Sequence, residues 1–221
     1  LNEYAAYRRS AIAGQVGGSG SYVIDLAQRP WNAEQLARRL ALQGVAVRRV
    51  AGPATVCGRA YPAGYLSVAT AQAAGRLVRS LLDADTPLPQ HFVTAQENRR
   101  SRGLAHELYD TTAWSVGQMS GLAVQPCGTV PAGGQAVGAD DSLPSRAEAP
   151  GAFGLAVRWS DSGQARLVAQ ALAAGLVGRA TDEAFTADGR QFGRGTVVFS
   201  RGDNPEGLER LTELARAIGA E

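Results

Sequence analysis

Two ten-residue stretches decide the fold: TVCGRAYPAG at residues 55–64 and TADGRQFGRG at residues 186–195. They lie 131 positions apart and share a first Thr, a central Gly-Arg pair, an aromatic residue at the seventh place and a final Gly. The dipeptides Cys57-Gly58 and Asp188-Gly189 lie where a type I′ turn needs positive φ at both central residues. The two stretches therefore predict two equivalent β-hairpins.

The same offset extends outward from both stretches without a gap. It aligns Tyr22 with Phe153, Ile24 with Leu155, Leu36 with Leu167, Gly44 with Gly175 and Leu66 with Val197. Glycines, aromatic residues and apolar positions match together, which predicts an internal duplication of residues 21–83 in residues 152–221.

Each copy has the same pattern of secondary structure. A short apolar strand precedes an amphipathic helix, whose first copy carries Ala33, Leu36, Ala37 and Leu40 at helical spacing. Gly44 and Gly175 are predicted left-handed residues after these helices. Two strands and a second helix complete a β-α-β-β-α unit. We expect an α/β fold in which the two units pack with pseudo-twofold symmetry, forming a mixed sheet flanked by helices.

Two pairs of residues are predicted to fix helix starts within the repeats. Asn32 has the character of an N-cap, with Gln35 in the capping-box position. Asn204 is predicted to cap the last helix, with Pro205 at its first position.

Three segments lie outside the repeats. Residues 1–20 predict an entry helix followed by a Gly-rich linker, and residues 84–125 hold an inserted segment that begins with a polar loop. In that insert Asp110 or Thr111 is the expected cap of a short helix, before a strand at 122–124. Residues 126–151 are rich in Pro, Gly and Asp, and predict a flexible linker.

Composition restricts the partners. The net charge of +2 and the absence of a basic cluster argue against nucleic acid, and no apolar run is long enough for a membrane span. The chain starts at Leu1 with neither Met nor a leader, which suggests a piece of a longer protein. Cys57 and Cys127 permit one disulfide or two free thiols, and the sequence leaves both open.

The sequence holds parts of several catalytic motifs but completes none of them. His106-Glu107-Leu108-Tyr109-Asp110 resembles the HExxH zinc helix, but Asp110 replaces the second His. Cys127 would suit an amidotransferase-like nucleophile at a strand end, yet both histidines precede it. Phosphate-loop and Schiff-base chemistry are excluded because the chain has no lysine. No catalytic, cofactor or metal residue is therefore assigned.

One polar and aromatic cluster lies outside the duplication. Asp110, Thr111, Trp114 and Ser115 are the candidate residues of a binding patch for a ligand or partner, at the interface of the two halves. The sequence favours a structural role for these residues, as a helix cap beside a core Trp.

The same cluster carries a family resemblance. The stretch YDTTAWS at 109–115, followed by Gly121, resembles a signature found downstream of the catalytic domain in bacterial zinc carboxypeptidases of the M14 family. The stretches YRRSAI at 7–12 and FTADGR at 185–190 resemble flanking elements of that region. The chain departs from the family pattern at Gly117 and Gln118, where relatives have Pro and an apolar residue.

The resemblance implies a non-catalytic C-terminal accessory domain of a secreted or periplasmic zinc metallocarboxypeptidase, with a structural, positioning or substrate-recruiting role. Its zinc would belong to an N-terminal catalytic domain of the same chain, which would be this domain's partner, with a peptide substrate as a second partner. No functional residue of the family maps onto this sequence. Two alternatives stay open: a small-molecule or peptide binding module with a cleft between the repeats, and a cryptic hydrolase using Cys127.

Overall fold

A computed structural model of the chain describes residues 2–17, 20–85, 88–107, 115–143, 145, 147 and 153–220. Over these ranges the fold is α/β, with seven helices and antiparallel sheets. The helices are α1 (Asn2–Ile12), α2 (Pro30–Leu42), α3 (Gly75–Leu82), α4 (Gln90–Ser101), α5 (Val116–Met119), α6 (Ser162–Ala173) and α7 (Gly207–Ile218).

The strands fall into two groups along the chain. The first group is β1 (Ser21–Asp25), β2 (Arg48–Ala51), β3 (Ala54–Val56), β4 (Arg59–Tyr61), β5 (Gly64–Ala69), β6 (Val124–Cys127) and β7 (Gln135–Ala136). The second group is β8 (Gly154–Val157), β9 (Arg179–Ala180), β10 (Phe185–Ala187), β11 (Arg190–Phe192) and β12 (Val197–Ser200).

A five-stranded sheet in the order β6-β1-β5-β2-β7 forms the first layer. Strands β1 and β2 run in the same direction, joined by the crossover helix α2, and β5 lies between them antiparallel to both. A three-stranded sheet in the order β8-β12-β9 is built in the same way around α6. The prediction of a mixed sheet is wrong, since every strand pairing in the described ranges is antiparallel. Strand β5 separates β1 from β2, and β12 separates β8 from β9, so strands that run in the same direction do not pair.

The interior strand β1 is buried on both faces. Tyr22 and Ile24 pack with α2 and α3 in one core, whereas Val23 faces Tyr61 and Tyr65 in a second one. The β3–β4 hairpin covers this second face, which explains why β1 shows a continuous apolar run instead of alternation. The three-stranded sheet has its own core, formed with α6 and α7 around Phe199, Leu167 and Leu211.

Both predicted hairpin turns are present. Cys57 and Gly58 have φ of 50° and 73°, and Asp188 and Gly189 have φ of 48° and 71°. These are the positive angles of a type I′ turn, so the prediction is confirmed at both places. The left-handed glycines that follow α2 and α6 are also found.

Two predicted helix caps are wrong. Asn32 lies inside α2, which begins at Pro30, and Asn204 precedes α7 without capping it. The Asn204 amide instead bonds both backbone groups of Val177, at 2.7 Å to the nitrogen and 2.9 Å to the oxygen. A buried Asn can bridge two segments with its donor and acceptor together, and sequence spacing does not reveal that use.

The described parts of residues 84–125 and 126–151 contain more regular structure than the sequence predicts. The polar stretch after residue 84 contains α4, where a loop was predicted. Within the supposed linker 126–151, β6 ends at Cys127 and β7 pairs with β2, so the linker contributes to both edges of the five-stranded sheet. Val137 is buried in the first core, which anchors this segment further.

Candidate functional site

The candidate patch is described only at its C-terminal end. Asp110, Thr111 and Trp114 lie outside the described residues. Ser115 is 1% exposed, and its hydroxyl accepts a hydrogen bond from the Gln118 amide at 3.5 Å as the N-cap of α5. Its oxygen is therefore buried and engaged in capping, and the short helix begins later than the caps proposed from the sequence.

Helix α5 is held tightly against the sheet. A Cβ at Gly117 would overlap the Val124 side chain, so only glycine fits there. Gly121 ends the segment with φ of 67°, in the left-handed region. This close approach gives a physical reason for glycine at position 117.

Asn32 joins three elements at one buried point. Its amide nitrogen donates to the Ser120 carbonyl at 2.8 Å, and its amide oxygen accepts from the Ser162 backbone amide at 3.1 Å. The side chain is only 8% exposed. Helix α2 is thereby linked to the end of α5 and to the first turn of α6.

Trp31 completes this junction. Its indole nitrogen donates to the Ile218 carbonyl at 3.0 Å, and its ring packs against the core of the three-stranded sheet. A Cβ at Gly163 would overlap the indole, so α6 approaches α2 as closely as its backbone allows. The space between α2 and α6 is therefore filled by side chains at this point. We name these residues, Trp31, Asn32, Ser162 and Gly163, the junction.

The two cysteines form a disulfide, with their Cα atoms 5.9 Å apart. It links the tip of the β3–β4 hairpin to the end of β6, across 70 residues of sequence. Nucleophilic catalysis needs a thiolate, and in this structure the Cys127 sulfur is bonded to Cys57. The bond also closes the second core, where Cys127 packs with Val56 and Tyr61.

The two histidines lie on different elements. His91 lies in the first turn of α4, and His106 lies in the loop after it. Glu107, the acid beside His106, is bound by Arg99 at 3.1 Å and by the Gln96 side chain through its backbone amide at 2.8 Å. Within the described ranges no group of three or more His, Cys, Asp or Glu residues is placed to hold a metal ion.

Two ionic clusters were not expected from the sequence. Glu34 on α2 is 3% exposed and accepts from Arg49 on β2 at 2.6 Å, and this hydrogen bond raises the pKa of the guanidinium. Tyr22 donates to Asp83, which Arg79 also binds at 3.0 Å. Burial and the Asp83 carboxylate raise the pKa of the Tyr22 phenol to about 12. Both clusters tie a helix to the sheet.

The Tyr61 hydroxyl has a different environment. Tyr61 is 1% exposed, and its oxygen has no hydrogen-bond partner among the described residues. Burial raises its pKa, and the nearby Arg59 guanidinium opposes that rise. The phenol packs at a tilt against Tyr65 with ring centres 5.5 Å apart, so it serves the core through its ring.

No protein family, no curated protein and no solved structure matches this chain. None of the helices in the described ranges combines the length and apolar character needed to cross a bilayer.

Proposed function

We propose that this chain is a non-catalytic accessory α/β module of a secreted zinc metallocarboxypeptidase resembling the M14 family. Its role would be structural: the two repeats and the inserted segment form a rigid support for a catalytic domain located N-terminally in the same protein. Zinc and the catalytic residues would belong to that domain.

The observation that carries this proposal is the way the end of the YDTTAWS segment is built into the fold. Ser115 caps α5, Gly117 touches Val124, and Ser120 is bonded by Asn32. These contacts hold the backbone in place and already occupy the groups that make them. They therefore support a structural role for the described end of this segment.

The disulfide bond of Cys127, the candidate nucleophile, supports the same structural role. Cys127 is used in a cross-link, and Asp161 caps α6 by accepting from the Gln164 amide at 3.1 Å. An N-cap aspartate and a disulfide both stabilise a fold through roles that need no substrate.

The duplication is supported by the positions of the elements. Subtracting 131 places β10 on β3 and β11 on β4 with identical bounds, and places α6 within one residue of α2 at its start. The junction adds a second argument. Trp31 and Asn32 correspond to Ser162 and Gly163, and Trp31 contacts Gly163 while Asn32 contacts Ser162. Such reciprocal contacts are the mark of a twofold interface, so we infer two copies packed with pseudo-twofold symmetry.

The disulfide supports the proposed location. Structural disulfides persist in secreted and periplasmic proteins, while reducing cytosols disfavour them. We therefore propose an extracytoplasmic location. Thiol titration of the unfolded, unreduced protein from its native source should find no free cysteine; two free thiols would contradict the location.

A direct test uses the purified chain. Metal analysis and hydrolysis of peptides with free C-termini should both give background values, equal to those of the same chain unfolded. Stoichiometric zinc with peptide turnover would refute the non-catalytic role.

A second test separates structural support from substrate recruitment in the whole protein. Asn32→Ala removes both junction bonds, and Asn98→Ala on the exposed face of α4 is the matched control. We expect the junction variant to lower the unfolding free energy by about 1–3 kcal/mol while KM is unchanged. A raised KM with unchanged stability would favour recruitment and contradict the structural role.

A further inference from the structure

The end of helix α4 and the chain that follows it form an open part of the surface. Every residue from 100 to 107 is exposed, and no other run of exposed residues in the described ranges is as long. We call residues 100–107 the exposed run. Proteolytic nicking concentrates where the backbone is exposed and weakly anchored, so this stretch meets the first requirement for cleavage.

The exposed run carries two cationic side chains, Arg100 and Arg102. The specificity pocket of a trypsin-like protease holds an acidic group that pairs with such a side chain, and the chain offers it arginine alone because it has no lysine. Arg100 lies in the last turn of α4, and Arg102 is its C-cap, followed by Gly103 with φ of 69°. The peptide bonds after both arginines therefore lie at a helix end, where helices fray.

Helix α4 is weakly anchored to the rest of the fold. Its one buried side chain is Gln96, and none of the three cores in the described residues includes a residue of α4. Its last turn is closed by two backbone bonds. The Gly103 amide donates to the Arg100 carbonyl at 3.0 Å. The Leu104 amide donates to the Arg99 carbonyl at the same distance.

A local clamp folds the exposed run back onto α4. Arg99 donates from Nε to the Ala105 carbonyl at 2.9 Å, and its Nη1 lies 3.1 Å from the Glu107 carboxylate. The Gln96 side-chain oxygen accepts from the Glu107 amide at 2.8 Å. These contacts join residues 96–107 to one another, so opening the exposed run leaves both sheets intact. Exposed ion pairs and single hydrogen bonds stabilise little, so this local opening costs little free energy.

A cut after Arg100 or Arg102 would leave the two products joined. The disulfide links Cys57 in the N-terminal product to Cys127 in the C-terminal product. Strands β6 and β7 of the second product pair with β1 and β2 of the first. The bonds of Asn32 add a further connection across the cut. The cut thus falls between the repeats, where other connections hold the fold together.

We propose that the exposed run is a processing site for an arginine-specific serine endoprotease, which converts the chain into a two-chain protein linked by the disulfide. Water is the co-reactant. The bond between the arginine carbonyl carbon and the following nitrogen breaks, and water supplies a hydroxyl group to the carbon and a proton to the nitrogen. The products carry a new carboxylate on the arginine and a new ammonium on the residue after it. The processing goes beyond the accessory role and does not depend on it.

Limited digestion of the purified chain with trypsin tests the position of the site. The first cut should follow Arg100 or Arg102, as mass spectrometry and N-terminal sequencing of the products will show. The products should migrate together without reduction and separate into two pieces after it. A first cut after another arginine, or products that separate without reduction, would overturn the proposal.

Arginine variants test the specificity. A double variant, Arg100→Gln with Arg102→Gln, removes both cationic side chains and should slow the first cut by at least about tenfold. Arg194→Gln is the matched control, since Arg194 is exposed but the amide of its neighbour Gly195 donates to the Thr181 carbonyl at 2.8 Å. The control should be cut at the wild-type rate. A double variant that is cut as fast as the control overturns the proposal.

A clamp variant and the native protein complete the test. Gln96→Ala removes the acceptor of the Glu107 amide and should speed the first cut by about fivefold, because cleavage follows the population of the opened chain. An unchanged rate would contradict cleavage through local opening. Protein from the native source should show a second N-terminus at Ser101 or Gly103 after reduction. Uncut chain alone in that source overturns the processing, even where trypsin cuts at the expected place.

Discussion

Replacing Cys57 with Ser removes the covalent link between the β3–β4 hairpin and β6. The disulfide closes a loop of 70 residues, and the chain-entropy relation gives about 4 kcal/mol of stabilisation for a loop of that length. The contacts of Val56, Tyr61 and Tyr65 stay available in the variant, so the hairpin should still fold over the sheet. We therefore expect a folded protein whose unfolding free energy is lower by about 4 kcal/mol.

Urea unfolding followed by circular dichroism measures this loss. With an m-value of about 2.5 kcal/mol/M, the midpoint should fall by about 1.5–2 M. Cys127→Ser and the double variant should show the same fall, because each removes the same cross-link and the effects cannot add. Reducing the wild-type protein should reproduce it.

A loss of unfolding free energy below about 1 kcal/mol in all three variants would refute the reasoning. Loop entropy predicts about 4 kcal/mol of stabilisation for a cross-link that closes a loop of 70 residues. Additive losses in the double variant would also contradict it, because they would show that each cysteine acts through its own contacts.

Three further substitutions test single contacts: one should leave the free energy of unfolding equal or raise it, and two should lower it. Tyr61→Phe removes a buried hydroxyl without a partner, so unfolding free energy should stay equal or rise by about 1 kcal/mol; a loss above 1 kcal/mol would reveal a hydrogen bond. Tyr22→Phe should lower it by about 1–2 kcal/mol because Asp83 loses a donor, and no loss would show that this bond is unimportant. Gly163→Val should cost more than about 2 kcal/mol by overlapping Trp31, and this cost should shrink in a Trp31→Ala background; equal costs in both backgrounds would place the clash elsewhere. Finally, the pKa of Tyr22 is about 12 in the folded protein against 10.0 ordinarily, so its contribution to stability is complete below pH 10 and is lost as pH rises through 12. The wild-type protein should lose stability over that range more steeply than Tyr22→Phe, and parallel profiles would contradict the raised pKa.

Local backbone rules predicted the turns. Gly58, Asp188, Gly189 and the glycines after α2 and α6 adopt positive φ because Gly and Asp tolerate it. The residue type does not favour positive φ at Cys57, whose place in the turn follows from its alignment with Asp188. These signals depend on one or two neighbouring residues, so a sequence carries them directly. The apolar periodicity of α2 and α6 is equally local.

The edges of the first sheet were missed for a physical reason. Strands β6 and β7 pair mainly through backbone groups, and their burial is too low to impose an alternating pattern. Pro126 and nearby glycines suggested a linker, yet the proline lies where its ring faces away from β1. Pairing between segments that lie 86 to 106 residues apart leaves no mark on such a short stretch.

The junction was missed because its residues have other common uses. Asn32 has the spacing of a helix cap, and only the three-dimensional arrangement shows that its amide bridges Ser120 and Ser162. The sequence does not decide the disulfide either, because pairing depends on a Cα separation that sequence spacing does not give. Of the predicted patch, Ser115 alone lies in the described residues, and it acts as a cap.

The accessory role is tested most directly by sequencing the reading frame upstream of the codon for Leu1 in the native gene. We predict a catalytic domain there, with an HxxE zinc pair and a later His, preceded by a signal peptide. A reading frame that starts near Leu1, or one whose upstream region encodes no such zinc site, would contradict the proposal that this chain supports a metallocarboxypeptidase.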